Sequence, residues 1–135
     1  MINPNTNWVV VIGAAVASMV LGFLWYSPIL FGREWQELMG FKKGEKRGGM
    51  MKGYAIMAIA SVVSSFVLKQ FIDLFYIVNF FDAIQLAFWI WLGFQATVII
   101  NQVIFGGKSW KLFVIDSGYQ LGSLLLMSWI LSYWA

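Results

Sequence analysis

Four long apolar stretches dominate the chain, and a short polar or basic segment separates each from the next. They cover residues 8–31, 50–72, 83–105 and 110–134. A helix needs roughly 20 mainly apolar residues to cross the hydrocarbon core of a bilayer, which is about 30 Å thick. The pattern therefore predicts an all-α membrane protein with four transmembrane helices in a single domain, residues 1–135.

Polar residues next to these stretches are typical of helix ends. Thr6 or Asn7 can cap the first helix, and Ser109 can cap the fourth. Residues 79–82, Asn-Phe-Phe-Asp, have the spacing of a capping box before the third helix, with Asp in place of the usual Glu. Pro28 removes a backbone donor near the end of the first stretch, so we expect a kink there.

Composition and the distribution of charge fit this class. Of 135 residues, 61% are hydrophobic and 11% are charged, whereas about 25% are charged in ordinary soluble domains. A soluble fold of this size exposes too much surface to hide so many apolar side chains. The chain has no cysteine and no histidine, which excludes a disulfide-stapled domain and histidine chemistry.

The basic residues indicate the orientation in the membrane. Eight of the nine Lys and Arg lie in or beside the segments that follow the first and third helices, and Lys69 is the exception. By the positive-inside rule these two segments are cytoplasmic, so both termini lie outside. Lys69 is near a helix end, where we expect its ammonium group to reach the lipid headgroups.

The basic loop, residues 32–49, predicts a contact with anionic lipid. Each Lys or Arg near such a surface gains about 1 kcal/mol. No aromatic or helical reading element accompanies the run, so nucleic acid is not an expected partner. The residues expected to contact headgroups are Lys42, Lys43, Lys46 and Arg47.

Polar residues inside the third and fourth helices are candidates for a site. Asp116, Tyr119 and Gln120 form one stripe on the fourth helix, and the third offers Gln95 and Asn101. A carboxylate at this depth costs roughly 2.5–3.5 kcal/mol, so it should be paired, hydrated or protonated. Two interpretations stay open: a polar path or small-ligand site between these helices, or hydrogen bonds that only hold helices together.

Small residues mark two faces suited to close helix packing. Ala14, Ser18 and Gly22 recur every fourth residue on the first helix, and Gly118 and Gly122 form a GxxxG pair on the fourth. We expect the glycine pair to face roughly opposite to Asp116 and Gln120 on the same helix. Such faces serve either one four-helix bundle or a homodimer, and we expect a homo-oligomer.

The two halves of the chain echo each other. Leu-Gly-Phe at 21–23 precedes Phe-Gly and a Trp at 31–35, and Leu-Gly-Phe at 92–94 precedes Phe-Gly and a Trp at 105–110. The echo suggests a possible parallel two-helix repeat about an axis along the membrane normal.

Signatures of catalysis are missing from the sequence. It holds no glycine-rich phosphate loop, no His or Cys metal cluster and no Ser/His/Asp set. We therefore predict a non-enzymatic protein with no cofactor and no metal.

Several strings resemble a known family. Gly-Phe-Leu-Trp-Tyr-Ser-Pro at 22–28, running into Phe-Gly-Arg-Glu-Trp at 31–35, resembles the opening of the bacterial domain of unknown function numbered 1761. Residues 88–94, 110–119 and 124–127 look like its second half. The resemblance implies a small integral membrane protein and supplies no activity, substrate or cofactor.

Together these patterns predict a multi-pass protein of the bacterial inner membrane that is structural or binds a partner. The alternative is a minimal oligomeric transporter or channel, with its path between the third and fourth helices. No small-molecule ligand can be named from the sequence.

Overall fold

The computed structural model describes residues 5–27, 29–38 and 50–133. The described residues form helices and turns, and four helical stretches are long and apolar enough to cross a membrane. The predicted all-α class with four transmembrane helices is therefore confirmed, while the two-helix repeat stays a prediction. The helices are α1 (Trp8–Trp25), α2 (Gly32–Leu38), α3 (Met50–Leu74), α4 (Phe80–Ile90), a π-helical segment (Trp91–Ala96), α5 (Thr97–Ile104) and α6 (Trp110–Tyr133).

The spans follow from this order. The first is α1, the second is α3, and the fourth is α6. The third span, Phe80–Ile104, joins α4, the π-helical segment and α5 into one continuous helix. We call the end of the bundle that contains α2 and the start of α6 the basic end, and the end that contains the start of α1 the opposite end.

The first span is shorter than predicted, because α1 ends at Trp25 rather than at residue 31. The Leu24 carbonyl accepts the amide of Ser27 at 3.2 Å and the hydroxyl of the same residue at 2.7 Å. A proline follows Ser27 and disfavours a helical conformation for the residue before it. The expected kink at Pro28 itself lies outside the described residues.

A tight turn leads from α1 into α2, so the segment predicted as the loop 32–49 begins with a short helix. The amide of Gly32 donates to the Ser27 carbonyl at 2.9 Å. A Cβ on Gly32 would collide with the backbone of Tyr26 and Ser27, so the turn requires glycine here. An exposed ion pair between Glu34 and Lys111, at 3.2 Å, then links α2 to α6.

The predicted caps are confirmed. Asn7 accepts hydrogen bonds from amides in the first turn of α1. Ser109 accepts the amide of Leu112 at 3.1 Å, and Asn79 accepts the amide of Asp82 at 2.9 Å. Because Asn79 is the cap, the third span begins at Phe80, three residues before the predicted start.

The fourth span, α6, is the helix that every other span packs against. The first two spans contact each other and α6, whereas the third span packs mainly on α6. The core between them is aliphatic and includes Val11, Ala14, Leu68, Met127 and Leu131. The third span is thus left with a single principal neighbour.

Candidate functional site

The carboxylate of Asp116 lies half-buried between α1 and α6, near the basic end. The phenol of Tyr26 donates to its Oδ1 at 2.7 Å. The indole N–H of Trp35, on α2, donates a second hydrogen bond to the same carboxylate. Asp116 is therefore paired with two neutral aromatic donors from the chain that follows α1.

The aromatic rings around this carboxylate pack on one another. Tyr26 meets the rings of Trp35 and Tyr119 edge-on, with centroids 5.6 Å and 5.5 Å apart. We call Asp116, Tyr26, Trp35 and Tyr119 the Asp116 cluster. Edge-on aromatic pairs contribute about 0.5–1.5 kcal/mol beyond the burial of their area. The cluster therefore joins α1, α2 and α6 by both hydrogen bonds and ring contacts.

Two indoles donate to backbone carbonyls of α6 beside this cluster. Trp25, at the end of α1, donates to the carbonyl of Ile115 at 3.0 Å. Trp91, in the third span, donates to the carbonyl of Ser117 at 2.7 Å. A helical carbonyl has a second lone pair that can accept such a bond. The first and third spans are thus each fastened to α6 within one turn of Asp116.

The small-residue faces of α1 and α6 meet each other inside the chain. The hydroxyls of Ser18 and Ser123 are 2.6 Å apart and buried, and Tyr119 donates to the Ser18 carbonyl at 3.1 Å. A Cβ on Gly22 would lie 3.0 Å from the Tyr119 hydroxyl, and one on Gly118 would lie 3.2 Å from the Trp25 ring. Of the two roles that the sequence left open for these stripes, the chain uses packing within one bundle.

The remaining members of these stripes take the same interface. Ala14 is fully buried, and a Cβ on Gly122 would lie 3.4 Å from the Leu21 side chain. Gly118 and Tyr119 are consecutive residues of α6 and both contact α1, while the expectation that the glycine pair lies opposite Asp116 and Gln120 on the helix stays a prediction. Large aromatic side chains extend the interface between α1 and α6 over more of the circumference of α6 than the spacing of its small residues indicates.

The other predicted polar residues lie elsewhere. Gln95 is half-buried in the π-helical segment, Asn101 is exposed on α5, and Gln120 is half-buried on α6. Within the part of the chain that the structure describes, no hydrogen bond joins them to Asp116. The sequence-predicted group is therefore divided between the α1–α6 interface and the third span.

A second polar group lies towards the opposite end. Lys69 is 5% exposed, and its Nζ lies 2.7 Å from Oδ1 of Asp73. This pairing carries the ammonium group one turn towards the end of α3 at Leu74, which is the direction of the expected headgroup contact; the contact itself stays a prediction. Nearby, the Gln70 amide donates to the Thr6 hydroxyl at 2.8 Å. The four-residue spacing of Lys69 and Asp73 was the signal that could have revealed the pair.

Residues 42–47, the predicted anionic-lipid contact, lie outside the described part of the chain. Among the residues described, no group of three or more Asp, Glu, His or Cys is placed to hold a metal ion.

The family model described as "Protein of unknown function (DUF1761)" matches residues 9–132. The chain belongs to this family. Comparisons of this chain with the curated proteins and with the solved structures found no match. In this DUF1761 chain the matched residues include the whole Asp116 cluster and both carbonyl-binding indoles.

Two members of the Asp116 cluster were missed in the prediction from sequence. Tyr26 and Trp35 were not among the site residues predicted from the sequence. Both lie in the strings 22–28 and 31–35 that carried the family resemblance. A tyrosine and a tryptophan grouped at the same end of the membrane as Asp116 were the available signal, since both have a polar hydrogen to donate.

Proposed function

We propose that this protein is a non-enzymatic, structural or partner-binding protein of the bacterial inner membrane, and that its intramembrane polar groups hold its helices in place. The observation that carries the proposal is the occupation of the Asp116 carboxylate by Tyr26 and Trp35. An ionisable residue inside a membrane span is by default a candidate for transport. Here its hydrogen bonds run to the chain's own aromatic donors.

The arrangement favours a fastening role for Asp116. Its two donors come from the turn after α1 and from α2, so the carboxylate attaches that segment to α6. Glu34 and Lys111 form a second link between the same two elements. A path for ions or solutes would instead need the acceptor oxygens to stay open to water.

Replacing the carboxyl group of Asp116 tests this role. Asp116→Asn keeps the shape and one acceptor oxygen, so we expect a loss of about 1–2 kcal/mol of stability from weaker hydrogen bonds. Thermal unfolding in mild detergent measures the loss. Glu37→Gln, at an exposed carboxylate on α2, is the matched control, with an expected change within about 0.5 kcal/mol.

Flux measurements on liposomes that contain the purified protein test the opposing role, that of a transporter. We expect no proton or ion flux above that of protein-free liposomes. A wild-type flux that Asp116→Asn abolishes without changing thermal unfolding would refute the fastening role and establish the transporter.

A minimal oligomeric transporter or channel between the third and fourth spans is the second candidate. One observation favours it: the third span has a π-helical segment that contains the half-buried Gln95. Such segments inside membrane helices occur frequently at functional sites.

We further propose that the basic end faces the cytoplasm and that both termini lie outside. The positive-inside rule supports this orientation, as does the expected contact of Lys42, Lys43, Lys46 and Arg47 with anionic headgroups. The chain has no cysteine, so single introduced thiols report their own side. In intact cells an impermeant maleimide should label Asn3→Cys and leave Lys46→Cys unlabelled; the reverse pattern would invert the topology.

A further inference from the structure

The third span presents an uncovered face in its half nearer the basic end. Phe94 is 73% exposed, Val98 is 62% exposed, and Asn101 is exposed beside them. They follow one another at intervals of four and three residues, so they lie along one side of the helix. The third span packs mainly on α6, so among the helices that the structure describes none packs closely on this side. We call Phe94, Val98 and Asn101, with Gln95 and Gln102 at one edge, the third-span face.

The amide of Gln95 lies deep in the span, whereas the amides of Asn101 and Gln102 lie within one turn of its end. Within the described ranges, the side chains of Gln95, Asn101 and Gln102 form no hydrogen bond. Gln95 lies nine residues before the end of the span at Ile104, or about 13 Å along the helix. Hydrocarbon offers no hydrogen bonds, so an amide at that depth is stabilised by a hydrogen bond to another protein group.

The exposed side of α1 does not make this demand. The uncovered side of α1 consists of aliphatic residues such as Val9, Val16 and Val20, which lipid chains solvate well. The small-residue faces of α1 and α6 are already packed on each other. The third-span face therefore has unpaired amides that the exposed side of α1 does not have.

We propose that the third-span face pairs with the same face of a second copy of this chain, related by a two-fold axis along the membrane normal. Two copies inserted in the same orientation place each residue at the depth of its counterpart. A carboxamide carries both a donor and an acceptor, so Asn101 can bond its own counterpart. In paired helices a single asparagine at such a position fixes the register.

This pairing rests on the proposed function in one respect, because it names the partner of a partner-binding membrane protein as a second copy. The aliphatic and aromatic members, Val98 and Phe94, supply the packing that drives association between helices in lipid. The amides select the symmetric arrangement.

Disulfide cross-linking in native membranes tests the pairing directly. Since the chain has no cysteine, Val98→Cys introduces a single thiol at the centre of the face. Val20→Cys is the matched control: this valine is 51% exposed on α1, at a similar distance from the basic end. We expect oxidation to yield a covalent dimer for Val98→Cys and monomer for Val20→Cys. Equal yields, or monomer for both, overturn the pairing.

The role of the amide is tested in the Val98→Cys background. Asn101→Leu removes the hydrogen-bonding group at similar volume and should lower the dimer yield about threefold to tenfold. Asn101→Gln should retain most of it. Unfolding of the detergent-solubilised monomer should be unchanged for both, because Asn101 is exposed. An unaltered yield in Asn101→Leu contradicts the amide pairing.

The two proposals fail separately. A monomeric protein without flux in liposomes refutes only the pairing, whereas a dimer whose flux depends on Asp116 refutes only the fastening role.

Discussion

Tryptophans in this protein do more than mark the membrane surface. Trp25 and Trp91 each bury an apolar ring and direct an N–H at a carbonyl of α6, at Ile115 and Ser117. An indole is suited to this, since one edge is polar and the rest is apolar. Each bond connects two helices that lie far apart in the sequence. An interpretation of these tryptophans as interfacial anchors or lipid-facing side chains accounts for their apolar rings. It does not account for the hydrogen bonds that their N–H groups donate.

Replacing one indole tests whether this hydrogen matters. Trp25→Phe keeps an aromatic ring and removes the donor to the Ile115 carbonyl, so we expect a loss of about 0.5–1.5 kcal/mol. Trp89→Phe is the control, because Trp89 is exposed on the third span. Thermal unfolding in detergent compares the two. A loss in Trp89→Phe as large as in Trp25→Phe would mean that ring size, and not the hydrogen bond, sets stability.

The position of α2 depends on the glycine at which the helix begins, Gly32. The turn that precedes it brings the Tyr26 and Ser27 backbone against Gly32, where a side chain has no room. The same turn delivers Tyr26 and Trp35 to Asp116. The position of α2 and the hydrogen bonds to the Asp116 carboxylate therefore depend on the same turn.

An alanine at this turn should separate α2 from α6. Gly32→Ala forces the backbone to shift, and we expect a loss of more than about 1 kcal/mol in stability. Gly53→Ala is the matched control: space around Gly53 in α3 is open, and alanine favours the helix by up to about 1 kcal/mol. Unfolding midpoints should therefore move in opposite directions. A midpoint for Gly32→Ala at or above that of the wild type would contradict the close packing of the turn.

The limits of sequence reasoning are clearest in these elements. Helix ends were predictable at Asn7, Asn79 and Ser109, because a cap acts within three residues of itself. The end of α1 was placed six residues too late, since apolar residues continue into the turn that follows Trp25. The π-helical segment left no signal in the hydrophobic pattern, which tolerates an added residue in a span exposed on most sides.

At the scale of the whole molecule, the sequence predicted how many helices cross the membrane but not which faces meet. Periodicity assigns a residue to a side of its own helix and is silent about the neighbour on that side. Asp116 and Tyr26 are ninety positions apart, and their contact depends on the turn after α1. The path predicted between the third and fourth helices assumed that sequence neighbours share their polar groups.

The central place of α6 also bears on how the protein is made. Ribosomes synthesise the chain from its N-terminus, so the first three spans enter the bilayer before the helix that all of them pack against exists. During that interval α1 and α3 can associate, whereas the third span has no main neighbour to meet. Trp25 and Trp91 then lack their acceptors until residues 115–117 emerge. The bundle of four spans is therefore completed only when α6, the central helix and the last of the four to be synthesised, inserts.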